Sequence, residues 1–177
     1  MRPNDLAEGI KDLLAHTPAY PGKALVVDII ANPNAGGFKR RRFALARHQE
    51  LAALRESASA FPKRKDEIVV RLHLTERCGH ASALAQRVVE KSLANGVDSL
   101  HILMTAGGDG TSLETAERLI RLAPEERDRF ALLRLPMGTG NDGSEGRTLL
   151  ASLGRFLAPL ALERRAAVRV VDRKSVV

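Results

Sequence analysis

The sequence predicts a three-layer α/β/α fold built on a mostly parallel sheet. Three observations carry that prediction. Apolar runs of strand length alternate with stretches whose apolar residues recur at helical spacing. Three of the runs lead directly into loops of glycine, asparagine and small hydroxyl residues. The resulting β-α-β-α-β-α-β order gives parallel strands with helices on both faces.

Residues 1–22 read as a leader, loose or in a short helix, ending at Pro18-Ala19-Tyr20-Pro21-Gly22. The folded domain is expected over residues 23–177. Residues 24–31 form the first strand, apolar throughout except for Asp28, which has no evident role. A helix over residues 39–57 places Phe43, Ala46, Leu51 and Leu54 inside, and a basic loop follows around Pro62. Residues 67–74 make the second strand. The next helix starts after Thr75, with Ala81, Leu84, Ala85, Val88 and Val89 on one face, and stops at Asn95-Gly96. The third strand covers residues 100–105, and the helix behind it turns Leu113, Ala116, Leu119 and Ile120 inward. Residues 130–135 form the fourth strand, residues 146–157 are helical, and residues 167–171 make a last short strand.

Composition narrows the class. At 177 residues, 44% apolar and 28% charged, the chain fits one soluble domain with a real core. Only 3% is aromatic, so the core must rest on Leu, Val, Ile and Ala. The single cysteine, Cys78, excludes an internal disulfide and fits a reducing compartment. Residues 1–12 lack the pattern of a signal peptide, and no apolar run approaches the roughly 18 residues that span a bilayer. A cytoplasmic protein is the expectation, with peripheral contact to a membrane left open. The net charge of +7 is concentrated at Lys39-Arg40-Arg41-Arg42 and Lys63-Arg64-Lys65. Such runs attract phosphates or anionic lipid, or simply solvate a helix start. No aromatic residues interleave them, which argues against nucleic acid.

The most informative stretch is Thr105-Ala106-Gly107-Gly108-Asp109-Gly110-Thr111, set between a strand and a helix. Its Gly-Gly pair permits positive φ and close approach of a ligand. Thr111 and Glu114 have the spacing of a capping box. The first turn of the helix offers free N–H groups and partial positive charge, which favours phosphate. Asp109 beside it suits a base or a magnesium partner. Asn32-Pro33-Asn34-Ala35-Gly36-Gly37 and Pro136-Met137-Gly138-Thr139-Gly140-Asn141-Asp142 are loops of similar make-up, each after a strand. Loops on successive parallel strands gather at one sheet edge, where open α/β sheets bind ligands. Plainer readings compete at single positions. Asp109, Asn32 and Asp142 each suit a turn, Glu114 suits capping as well as ligand contact, and His80, His101 and Cys78 suit structural roles.

The trio NPNAGG, GGDGT and PMGTGND, in that order, resembles the catalytic domain of diacylglycerol kinases and related lipid kinases. Thr75 with Gly79-His80-Ala81, and residues 167–172, are similar to further family features. The resemblance spans about residues 25–171 and includes the fold shared with NAD kinases. It implies an ATP-dependent transfer of the γ-phosphate to a lipid hydroxyl, with magnesium. Carried over by position, Asn32, Pro33, Asn34, Ala35 and Gly36 hold the nucleotide and Thr75 lies near it. Gly107, Gly108, Asp109, Gly110 and Thr111 wrap the phosphates, with Glu114 close by and Asp109 in the magnesium network, directly or through water. Gly138, Thr139, Asn141 and Asp142 complete the site. Gly143-Ser144-Glu145-Gly146-Arg147 departs from the family's usual continuation. The family's second, largely β domain supplies acids and most of the lipid pocket, and it does not follow here. The expectation is that these 177 residues bind nucleotide weakly and turn over poorly. The resemblance further implies a lipid substrate met at a membrane, with the 39–42 run on anionic lipid; a homodimer is left open. The alternatives are an NAD kinase-like enzyme and a non-catalytic nucleotide-binding module.

Overall fold

The computed structural model describes residues 1–94, 99–140 and 146–158. The chain begins with helix α1 (Pro3–Leu14). Pro3 suits the first helical position, and the Asp5 carboxylate takes the Arg2 N–H at 2.6 Å. Leu6, Ile10, Leu13 and Leu14 fall on one face at helical spacing and are fully buried. Of the two forms expected for the first residues, the short helix is the one present, and α1 packs on the sheet and on the helix over Arg41–Ala58 as part of the core. Each buried Leu or Ile side chain there contributes about 1.5–3 kcal/mol relative to exposure.

After α1 come β1 (Leu25–Ala31), a short helix α2 (Gly36–Lys39), α3 (Arg41–Ala58) and β2 (Ile68–Leu74). Then follow α4 (His80–Ala94), β3 (Leu100–Gly107), α5 (Asp109–Ile120), the single turn α6 (Pro124–Arg127), β4 (Phe130–Pro136) and α7 (Leu149–Leu153), which runs into a 3-10 turn, Gly154–Leu157. The sheet is four-stranded and parallel throughout, in the order β2-β1-β3-β4. The expected strand at 167–171 and the helix stop at Asn95-Gly96 lie outside the described residues.

Strand alternation sorts the layers. Val27, Ile29, Ala31, Ile102 and Met104 join α1, α3 and α7 in the larger core. Ile30 and Leu103 face the other way and meet α4 and α5 through Ala81, Leu84, Ala85, Val88, Val89 and Leu119. The register makes the strand ends level: Ala31 pairs with both Leu74 and Ala106, and Gly107 pairs with Pro136. All four outgoing loops therefore start from one edge.

Two helix faces differ from expectation. On α3 the buried residues are Ala44, Arg47, Leu51, Leu54 and Ala58, while Phe43 is exposed and Ala46 only partly covered. Arg47 pairs with Glu50 at 2.7 Å and donates to the Arg147 carbonyl, and Glu50 accepts the Leu149 N–H, so a polar clamp ties α3 to α7. On α5 the inward face is Thr111, Ser112, Thr115 and Leu119, while Leu113 and Ile120 point to solvent. Within the second basic run, Arg64 is a structural cation. It pairs with Asp66 at 3.0 Å and donates to the Tyr20 and Lys23 carbonyls, fixing the link from α1 to β1.

Candidate functional site

β1 ends in a turn made by Asn32, whose Oδ1 accepts the Asn34 N–H at 2.9 Å. The Asn32 N–H is tied to the Ala106 carbonyl at 3.0 Å, so the turn is locked to β3. Beyond it, Ala35 is the buried residue before α2, and the Gly37 N–H donates to the Met137 carbonyl at 2.8 Å. A Cβ on Gly37 would lie 3.1 Å from the Met137 Cα, so only glycine lets the first and fourth loops meet this closely. Gly36 lies against Thr139 from the fourth loop.

β3 runs two residues further than the apolar pattern indicated, to Gly107, and α5 begins at Asp109. The Gly-Gly pair does not use positive φ; among the described glycines that conformation belongs to Gly22 and Gly79. Gly107 is required for proximity instead, because a Cβ there would fall 2.4 Å from Thr111 Oγ1. Below this contact, Thr105 Oγ1 and Ser112 Oγ lie 2.9 Å apart and Thr115 Oγ1 donates to the Thr111 carbonyl at 2.9 Å. Two of these buried hydroxyls satisfy each other and the third is satisfied by the helix backbone, which lets α5 sit close on β3. The residue capping α5 is Gly108, so Thr111 lies inside the first turn and the expected capping box does not form. The first amide bonded within this helix is Ser112, which donates to the Gly108 carbonyl. The Asp109, Gly110 and Thr111 N–H groups precede it in the first turn and have no hydrogen-bond partner among the described residues.

Glu114 caps a different helix. Its Oε1 accepts the Gly79 N–H at 3.0 Å and its Oε2 the Ala81 N–H at 3.1 Å, both at the start of α4. The Cys78 thiol lies 3.8 Å from Oε1.

These elements enclose a cleft of about 360 Å³ lined by Asn32, Asn34, Thr75, Glu76, Arg77, Cys78, Ala81, Gly110, Thr111 and Glu114. Six sequence-predicted residues thus share one wall system: Asn32, Asn34, Thr75, Gly110, Thr111 and Glu114. Thr75 and Thr111 are both over nine-tenths buried, and neither hydroxyl has a partner among the described residues. Asp109 is exposed at the first position of α5, next to Gly110. Pro33, Ala35, Gly36, Gly138 and Thr139 stand apart from the cleft lining, on the loop pair joined through Gly37 and Met137. Gly107 and Gly108 lie beneath it as the support of α5. Asn141 and Asp142 lie outside the described residues. Glu76 and Arg77 were not singled out from the sequence, and Cys78 was read there as suiting a structural role. The signal was topological: once Thr75 ends β2 at the loop edge and a helix follows, the link between them must border the site. Lys39, Arg40, Arg41 and Arg42 are all exposed, with no ion-pair partner among the described residues. No helix among the described residues is long and apolar enough to cross a membrane.

Geometry of this kind suits an anionic ligand with a polar, partly apolar body: free amides on one side, buried hydroxyls and an asparagine turn on the other. The family model of the diacylglycerol kinase catalytic domain matches residues 26–171, which contain every element lining the cleft. Comparison with curated proteins and with solved structures gives no match. The chain belongs to the diacylglycerol kinase catalytic domain family, a kinase-like phosphotransferase family.

Proposed function

We propose that this chain is the nucleotide-binding half of an ATP-dependent lipid kinase, transferring the γ-phosphate to a lipid hydroxyl. The observation that carries the reading is the cleft where the ends of β1 and β2 meet the start of α5. It offers N–H groups and the hydroxyls of two buried threonines that have no partner among the described residues. In this reading Asn32, Asn34 and Thr75 hold the nucleoside end, and the Gly110 and Thr111 amides take phosphate oxygens. Phosphoryl transfer rests mainly on positioning and on stabilising charge, which this arrangement of fixed dipoles supplies.

Among the described residues no three acids, histidines or cysteines converge, so these residues build no protein-only metal cage. A lone exposed carboxylate such as Asp109 fits magnesium, which is held chiefly by nucleotide phosphates and water. Bound there, the ion would neutralise phosphate charge. The exposed cations at 39–42, beside Phe43 at 41% exposure, would rest on an anionic bilayer where the lipid acceptor resides.

Calorimetric titration with ATP, with and without magnesium, tests the site. Asp109→Asn is expected to weaken magnesium-dependent binding roughly tenfold while leaving the fold intact. Equal binding by both proteins would remove Asp109 from the site. Acceptor assays with diacylglycerol vesicles and with NAD then separate a lipid kinase from an NAD kinase-like enzyme.

A further inference from the structure

One wall of the cleft, residues 76–79, has little support of its own. It contains Arg77 and Cys78, both exposed, and Gly79 at φ +77°. No apolar side chain from this segment enters either core cluster. It is fastened at its start by the Thr75 N–H on the Ala31 carbonyl and the Glu76 N–H on His80 Nδ1. At its end the fastening is a single carboxylate on another helix, Glu114, which takes the N–H groups of Gly79 and Ala81 on separate oxygens. We infer that Glu114 is a positioning residue: it holds the 76–79 wall against α5 and fills the anion position at the start of α4, so that of these two helix starts it is α5 that offers its N-terminus to phosphate.

Two physical points support this. A carboxylate accepting two backbone N–H groups at a helix start is both hydrogen-bonded and favoured by the helix dipole. With that position filled, a second anion at α4 would meet like charge at close range, whereas no described residue takes the amides of Asp109, Gly110 and Thr111. The part of the inference concerning phosphate rests on the nucleotide reading above; the part concerning the wall does not.

Cys78, the sole cysteine, reports on the wall directly. Its alkylation by iodoacetamide should be roughly tenfold faster in Glu114→Ala than in the parent protein, because the wall loosens and the thiol loses the carboxylate oxygen that lies 3.8 Å from it. Added acetate should return the Glu114→Ala rate toward the parent value, because a small carboxylate can refill the vacated position, and it should leave the parent rate unchanged. Glu114→Gln keeps the side-chain volume and one acceptor, and should fall between the two. ATP binding should weaken roughly tenfold in Glu114→Ala and recover in part with acetate. Unchanged alkylation in both variants, or acceleration that acetate does not touch, would overturn the positioning role. Full ATP affinity in Glu114→Ala would overturn the link between wall and ligand. If the parent protein binds no ATP, the nucleotide reading fails, and the alkylation series still decides the wall.

Discussion

On one face of the sheet, Val27, Ile29, Ile102 and Met104 lie with Leu6, Ile10, Leu51 and Leu153 in a cluster of hydrocarbon. On the other face, Asp28, His101 and Thr105 share the strands with Ile30 and Leu103 beneath α4 and α5, and buried hydroxyls and ion pairs take up much of the space. The first face is held by area removed from water, which is tolerant of position but sensitive to volume. The second is held by directional bonds, which fix where α4 and α5 begin. Those helix starts form two walls of the cleft. The molecule thus places its non-directional packing away from the site and its directional bonding next to it.

The largest effect should come from emptying the hydrocarbon side. Ile10→Ala removes a fully buried side chain from α1 and should cost about 2–5 kcal/mol, read by denaturant unfolding. The same experiment separates two views of the first residues. An appended leader would unfold without affecting the remainder. An integral helix would lower the single cooperative transition.

On the polar side the corresponding change is smaller. Asp28 is buried and accepts from Arg71 at 2.9 and 3.0 Å and from His73 at 2.8 Å. Burial alone would raise its pKa, but the hydrogen bonds from His73 and Arg71 outweigh it and hold the carboxyl below the ordinary value near 3.8. The ionised form is therefore favoured by folding. Its contribution is complete above that ordinary value and disappears as pH falls through the lower folded value. Asp28→Asn should cost about 1–3 kcal/mol at neutral pH, with Arg71 and His73 losing a charged partner. The gap from the parent protein should narrow as the pH is lowered below about 4. A gap that persists unchanged in acid would mean that the loss is steric.

Much of the hydrocarbon side was legible in the sequence, because apolar runs between small-residue loops mark parallel strands directly. The pattern Leu6, Ile10, Leu13, Leu14 was equally readable, yet the cluster of turn residues after it gave it the look of a leader. The polar side was harder. Hydrophobic periodicity put Leu113 and Ile120 inside α5, but the helix must approach β3 at Gly107, and only the small residues Thr111, Ser112 and Thr115 permit that distance. Once hydroxyls can satisfy one another, polarity no longer reports exposure. Glu114 shows the same limit: a Thr-x-x-Glu spacing reveals a carboxylate near a helix start and cannot say which helix it serves. Thr75, carried over from the resemblance, and the Asn32 turn, read from its loop, both line the cleft because they sit at strand ends on one edge of the sheet.

The finest test of the polar side is His101. Its ring is buried against Phe130, with centroids 5.5 Å apart; Nε2 lies 2.9 Å from Ser99 Oγ, and Nδ1 has no partner among the described residues. Burial, aided by the positive charge of Arg129, pushes its pKa below the ordinary value of 6.5. Above that value the ring is neutral in both folded and unfolded chains, and no cost arises. As pH falls below it, the unfolded chain takes up a proton that the folded ring resists, so stability declines until the lower folded value is reached. Replacing the ring by Leu removes the titration while keeping an apolar side chain there. Measured between pH 7 and pH 5, the stability of His101→Leu should therefore fall less steeply than that of the parent protein, whatever its value at pH 7. Parallel slopes would show that the ring protonates without penalty, and that this end of the polar face is open to water in a way the end bordering the cleft is not.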